Sequence, residues 1–134
     1  MRMIDFRAWD KKKSEIVDVM DIDFSGNKVG VCNVPKRLFK DGRLHTIHSI
    51  ERDWSEVELM QSTGLKDKNG TEIFEGDIIK LIGTYKDSKG KELGRYMVEW
   101  NNYYTGFYPL IDDPLEGGGT EYEVIGNIYE NPEL

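Results

Sequence analysis

The chain of 134 residues reads as a mainly β protein with little helix. An N-terminal β-meander region over residues 1–58 is packed with a small β-barrel region over residues 59–134, as one compact unit or two. Three observations predict this. Short segments of alternating apolar and polar residues recur at roughly ten-residue spacing, divided by Gly and Asn turns. Helix start signals are scarce. The composition, 38% apolar and 11% aromatic, is too rich in large rings for a disordered chain and sufficient at this length for a core without staples.

Ile4, Phe6 and Ala8 alternate with Asp5, Arg7 and Trp9, the period of a strand with one inward face. The run Asp10-Lys11-Lys12-Lys13-Ser14 breaks that pattern as a turn. Residues 16–20 and 22–24 continue the sheet, and Ser25-Gly26-Asn27-Lys28 suits a hairpin loop because Gly and Asn tolerate positive φ. Val29, Val31 and Cys32 resume the sheet. Leu38-Phe39 precede an Asp41-Gly42 turn, and alternation predicts a strand over 43–50. Residues 53–60 hold the best helix signal, Ser55 followed by Glu58 as a capping box, although Val57 and Leu59 also alternate as a strand would. Asn69-Gly70 within Lys66-Asp67-Lys68-Asn69-Gly70 is the preferred pair for a two-residue hairpin loop. Ile73-Phe74 and the turn Glu75-Gly76-Asp77 lead into the nearly continuous apolar run 78–82, of the kind a small closed barrel buries. Its expected partner is 95–100, across a polar, Gly-containing mobile loop over 86–94. Pro109 and Pro114 bracket the Asp112-Asp113 turn, Gly117-Gly118-Gly119 is a flexible break, and Tyr122, Val124, Ile125, Ile128 and Tyr129 form the last strand.

Charge is distributed unevenly. The net charge of -7 arises from 25 acidic and 18 basic residues. Residues 101–134 contain no Lys or Arg but carry Asp112, Asp113, Glu116, Glu121, Glu123, Glu130 and Glu133. Such a stretch repels phosphate and favours basic partners; the plainer reading is a solvated acidic face. Cys32 is the only cysteine, which excludes an intramolecular disulfide and clustered-thiolate zinc sites. The opening residues lack the apolar run of a signal peptide, and no stretch approaches the roughly 18 apolar residues of a membrane helix. The expected location is the cytoplasm.

Three stretches carry a family likeness: Phe6-Arg7-Ala8-Trp9-Asp10 near the start; 59–70, LMQSTGLKDKNG, running on through Ile73-Phe74-Glu75-Gly76-Asp77-Ile78; and Val124-Ile125-Gly126-Asn127-Ile128-Tyr129-Glu130-Asn131-Pro132 at the close. Together they resemble the YopX family of phage and prophage proteins. The resemblance implies a mainly β fold whose later part is similar to an SH3-like barrel, a phage or prophage origin and self-association. It assigns no reaction and no catalytic residues. Asn69-Gly70 and Gly76 also make sense physically as folding devices, fixing hairpin register and backbone freedom.

The chemical candidates are few. His45 and His48 form an H-x-x-H pair that suits metal only on a helix, since positions three apart on a strand face opposite ways. Cys32 reads as a small core residue rather than a nucleophile. Asp5, Asp77, Asp112 and Asp113 supply carboxylates for metal-assisted hydrolysis, but nothing sets their spacing. No Walker-type loop is present. The aromatic cluster Trp100, Tyr103, Tyr104, Phe107 and Tyr108 offers either stacking surface for single strands or a protein interface. Nucleic acid would need cations borrowed from Lys11, Lys12, Lys13, Lys36, Arg37 and Lys40.

These readings predict a non-enzymatic, homo-oligomeric macromolecule-binding protein with no cofactor and no metal. The aromatic cluster and a sheet edge are its contacts, and itself or a host or phage protein its partner. A nucleic-acid-binding module is the first alternative. An acidic mimic of nucleic acid that occupies a basic host protein is the second.

Overall fold

The computed structural model describes residues 5–32, 50–110 and 120–134. The chain folds as two compact units, one holding the described residues of Phe6–Met60 and the other Asp5 with those of Gln61–Leu134.

In the N-terminal unit, β1 (Phe6–Asp10), β2 (Glu15–Asp23), β3 (Lys28–Cys32) and β4 (Ile50–Asp53) form an antiparallel meander. β1 is flanked on its other side by β5 (Val57–Lys66). The alternation read from the sequence sets the faces: Ala8, Val17, Val19, Val29, Val31 and Val57 are buried together, with Phe6, Ile22, Ile50 and Leu59 packed on them. Each fully buried aliphatic side chain contributes about 1.5–3 kcal/mol of transfer free energy. The two segments read as 16–20 and 22–24 are one strand, interrupted where the register passes from Val19↔Val31 to Asp21↔Gly30. Met20 is therefore the extra residue of a bulge. At the hairpin tip, Asp23 Oδ1 accepts the N–H groups of Ser25 and Gly26 at 3.1 and 3.0 Å.

The helix considered over 53–60 does not form. Only a single 3-10 turn, Trp54–Glu56, precedes β5, and it is Glu56 that accepts the Asp53 N–H at 2.9 Å. The Val57 and Leu59 alternation prevails because Val57 enters the core while Glu58 faces water. The expected strand over 43–50, Leu38-Phe39 and the Asp41-Gly42 turn lie outside the described residues, apart from Ile50 at the start of β4.

In the C-terminal unit, the later half of β5 pairs with β6 (Glu72–Phe74) at Ser62↔Phe74 and Lys66↔Glu72. β7 (Asp77–Gly83) is the centre of a three-stranded sheet between β11 (Thr120–Asn127) and β8 (Glu92–Met97). β9 (Glu99–Asn101) and β10 (Gly106–Tyr108) make a separate hairpin. Ile73, Ile79, Val98, Phe107 and Leu110 form the core, lined by Tyr96, Tyr122 and Val124.

The small barrel is a correction: the described strands are antiparallel and do not close on themselves. The apolar run 78–82 signals burial on both faces of a central strand, and closure does not follow from it. After β8 the chain leaves the ladder at Val98, whose N–H bonds Asp77 O at 2.8 Å, and β9 pairs with β10. The edges of β8 and β11 therefore never meet among the described strands. The loop expected over 86–94 is shorter than read, since Glu92, Leu93 and Gly94 already belong to β8 and a 3-10 turn occupies Lys86–Ser88. Among the described residues no helix is long and apolar enough to cross a membrane.

Candidate functional site

Two kinds of distinctive residue compete for a functional role in the C-terminal unit. The first are the polar residues of the recurring motifs. Asp67 is buried at the end of β5, where its Oδ1 accepts the N–H groups of Asn69 and Thr71, both at 2.9 Å. Its Oδ2 accepts the Val124 N–H on β11 at 2.9 Å. Burial pushes this carboxyl upward, but the donors from Val124, Thr71 and Asn69 outweigh it and hold it below the ordinary carboxylate range. The Asn69-Gly70 pair does not form the two-residue loop expected of it. Lys66 pairs with Glu72, which leaves five residues in the loop, closed by Gly70 N–H to Asp67 O at 3.0 Å.

The remaining motif residues act in the same way. Thr63 donates to Ile73 O at 2.7 Å and accepts the Leu65 N–H at 3.1 Å. Glu75 accepts the Gln61 N–H at 2.8 Å, and Asp77, fully buried, accepts the Phe74 N–H at 2.8 Å. Between them Gly76 takes φ +83°, a conformation that favours glycine. Its N–H reaches Val98 O and its C=O receives the Ile128 N–H. Asn127 Oδ1 accepts the Tyr129 and Glu130 N–H groups at 3.0 and 2.9 Å. A Cβ on Gly126 would stand 2.5 Å from Asn131 Oδ1. These carboxylates and amides bind backbone, and their lone pairs are directed into turns.

The second kind are the aromatics of β9 and β10. The register pairs Trp100 with Phe107, and their rings meet edge to face at 5.2 Å, an arrangement the ring quadrupoles favour. Phe107 is buried in the core and so anchors the hairpin. Tyr108 packs edge to face on Tyr96 at 6.2 Å. The tip is held by side-chain bonds: Trp100 Nε1 donates to Asn102 Oδ1 at 2.9 Å, and Tyr104 N–H donates to Asn101 Oδ1 at 3.0 Å. On this frame Trp100 is 48%, Tyr103 87% and Tyr104 56% exposed. Tyr103 and Tyr104 touch only edge to face, with centroids 4.9 Å apart. Of the five residues singled out in the sequence, Trp100, Tyr103 and Tyr104 are presented to solvent, while Phe107 and Tyr108 hold them there.

Of the six cations considered for nucleic acid, Lys11, Lys12 and Lys13 are described, and all three are exposed. Lys11 pairs with Glu58 at 3.0 Å and Lys12 with Glu56 at 2.6 Å. Lys36, Arg37 and Lys40 lie outside the described residues, as do His45, His48, Asp112, Asp113, Pro114 and Gly117-Gly118-Gly119. Cys32 ends β3. Among the described residues no three His, Cys, Asp or Glu side chains are grouped to hold a metal ion.

Sequence reasoning missed one polar site. Asp10, read as the start of a turn, is fully buried at the end of β1. Both of its carboxylate oxygens stand 3.2 Å from Arg52 Nε, and Oδ1 also accepts the Lys12 N–H at 3.0 Å. The signal was present, since Asp10 continues the inward series Phe6, Ala8 at a spacing of two.

The comparisons with known proteins agree in kind. No curated protein matches the chain. Protein EF1440 from Enterococcus faecalis, a crystal structure, is 27% identical, with a TM-score of 0.61 over 99% of this chain and 98% of that one. The crystal structure of protein yopX from Bacillus subtilis, 20% identical, gives a TM-score of 0.58 over 100% of this chain and 98% of its own, a likeness of fold. The family model described as YopX protein matches residues 5–134, and the chain belongs to the YopX family.

Proposed function

We propose that this is a non-enzymatic, homo-oligomeric binding protein of phage or prophage type, acting in the cytoplasm, whose macromolecular contact is the β9–β10 hairpin. One observation carries the reading: three large aromatic side chains, Trp100, Tyr103 and Tyr104, stand exposed on a hairpin fixed from beneath by Phe107 and Tyr108. Exposed Tyr and Trp on a rigid frame are what interface centres use. Self-association uses a sheet edge. β8 has a ladder partner on one side only among the described strands, and carries the exposed Leu93 and Met97; such edges favour pairing with another chain. The carboxylates Asp67 and Asp77 support a binder rather than a catalyst, because backbone N–H groups already occupy them. Light scattering on the full chain at micromolar concentration is expected to give a multiple of 15.5 kDa; a monomer there removes self-association from the proposal.

A further inference from the structure

We infer that the exposed face of the β9–β10 hairpin recognises an arginine-bearing basic segment of a partner protein, with the guanidinium groups lying over the rings of Tyr103, Tyr104 and Trp100. This rests on the reading of the hairpin as the macromolecular contact and adds the chemistry of the occupant.

Three features point the same way. First, the rings are open. Tyr103 and Tyr104 meet at an interplanar angle of 85° and Trp100 meets Phe107 at 79°, so each exposed ring contacts an aromatic neighbour edge to face and retains face area for a ligand. A ring face carries negative quadrupole charge and attracts a cation within about 6 Å. Second, among the described residues no such cation is supplied here. Elsewhere in the same unit Lys86 Nζ stands 5.1 Å from the Tyr85 centroid, which shows a tyrosine of this chain meeting a cation of its own. No Lys or Arg follows Arg95 in the sequence, and Arg95 is engaged by Glu92. Among the described residues no cation lies over Trp100, Tyr103 or Tyr104. Third, the charge along this part of the chain is of the sign that attracts a basic segment and repels a phosphate backbone. Glu99 flanks Trp100 on β9 and is exposed, and the last 34 residues of the sequence, which include the hairpin tip, carry acids without a base. Arginine is favoured over lysine because its planar, weakly hydrated guanidinium stacks on aromatic faces.

Isothermal titration of the full chain with nona-arginine, nona-lysine and nona-glutamate peptides tests this. Nona-arginine is expected to bind at least tenfold more tightly than nona-lysine, and nona-glutamate not at all. The double substitution Tyr103→Ala, Tyr104→Ala is expected to weaken nona-arginine at least tenfold, and Tyr103→Phe, Tyr104→Phe to retain it, since the ring faces remain. Equal binding of the two cationic peptides, indifferent to the tyrosines, would reduce the effect to general acidity and overturn the inference. Absence of nona-arginine binding overturns it as well. If the Tyr→Ala pair nevertheless alters the mass seen by light scattering, the hairpin is a contact between copies, beside or in place of the β8 edge, and only the basic partner is lost. If it alters neither, the hairpin is left without a partner of either kind and the hairpin reading falls too.

Discussion

Asp67 and Tyr103 are both loop residues of the C-terminal unit. Asp67 is buried and receives three backbone N–H groups from two loop positions and a strand 57 residues away. Tyr103 is 87% exposed, and among the described residues the ring of its sequence neighbour is the one aromatic contact it makes. The same division runs through the unit: the motif residues Thr63, Glu75, Asp77 and Asn127 satisfy the backbone, whereas the rings of Trp100, Tyr103 and Tyr104 stand exposed on their hairpin. Residues that mark the family most clearly therefore build its frame. The proposed recognition surface lies in a stretch that none of the three segments carrying the family likeness covers.

This contrast is sharpest at Asp77. Asp77→Ala removes the buried acceptor of the Phe74 N–H, and leaving a buried donor without a partner costs about 1–3 kcal/mol, more where the lost acceptor was charged. We expect the upper end, about 3 kcal/mol, read as a lower urea midpoint at unchanged slope. A loss under about 0.5 kcal/mol would mean that the frame does not depend on its carboxylates.

Asp67→Asn comes next and separates charge from shape. The native carboxyl lies below its ordinary value, so its contribution is fully present above the unfolded carboxylate pKa. It is lost as pH falls through the lower native one. As pH falls below the unfolded carboxylate pKa, wild type should lose stability more steeply than Asp67→Asn in urea titrations, while at pH 7 the variant is less stable by about 1–2 kcal/mol. Parallel acid curves would show that the Asp67 charge contributes nothing to the fold's stability.

The smallest effect is expected on the other side of the comparison. Tyr103→Ala with Tyr104→Ala should leave stability within about 0.5 kcal/mol of wild type, as for exposed positions generally. A larger loss by the same urea measurement would make the tyrosines part of the frame and remove the distinction.

Much of the frame was legible in the sequence. Period-two alternation placed β1, β2 and β3 because one face of that meander is buried, and Gly76 announced its turn. What failed has identifiable causes. The run 78–82 has the same apolar signature in a closed barrel as in the middle of a three-stranded sheet, so closure was not readable. Asn69-Gly70 suggested a two-residue loop because nothing local reveals that Asp67 reaches Val124. Asp10 was hidden by the lysines that follow it, and its partner Arg52 is 42 residues away. At the aromatic hairpin, residue type marked all five candidates, but only packing distinguishes the anchors Phe107 and Tyr108 from the exposed Trp100, Tyr103 and Tyr104.

The position of β11 has a consequence for biosynthesis. β7 is the middle strand of its sheet, yet one of its two neighbours, β11, is made after every other described strand. Until Thr120–Asn127 emerges, the most apolar strand of the unit has one uncovered flank and Asp67 lacks its distant donor. Folding of this half therefore waits for β11 to emerge, since loops this long must close before their contacts stabilise anything. A nascent chain stalled short of β11 would present an unprotected β7, open to aggregation.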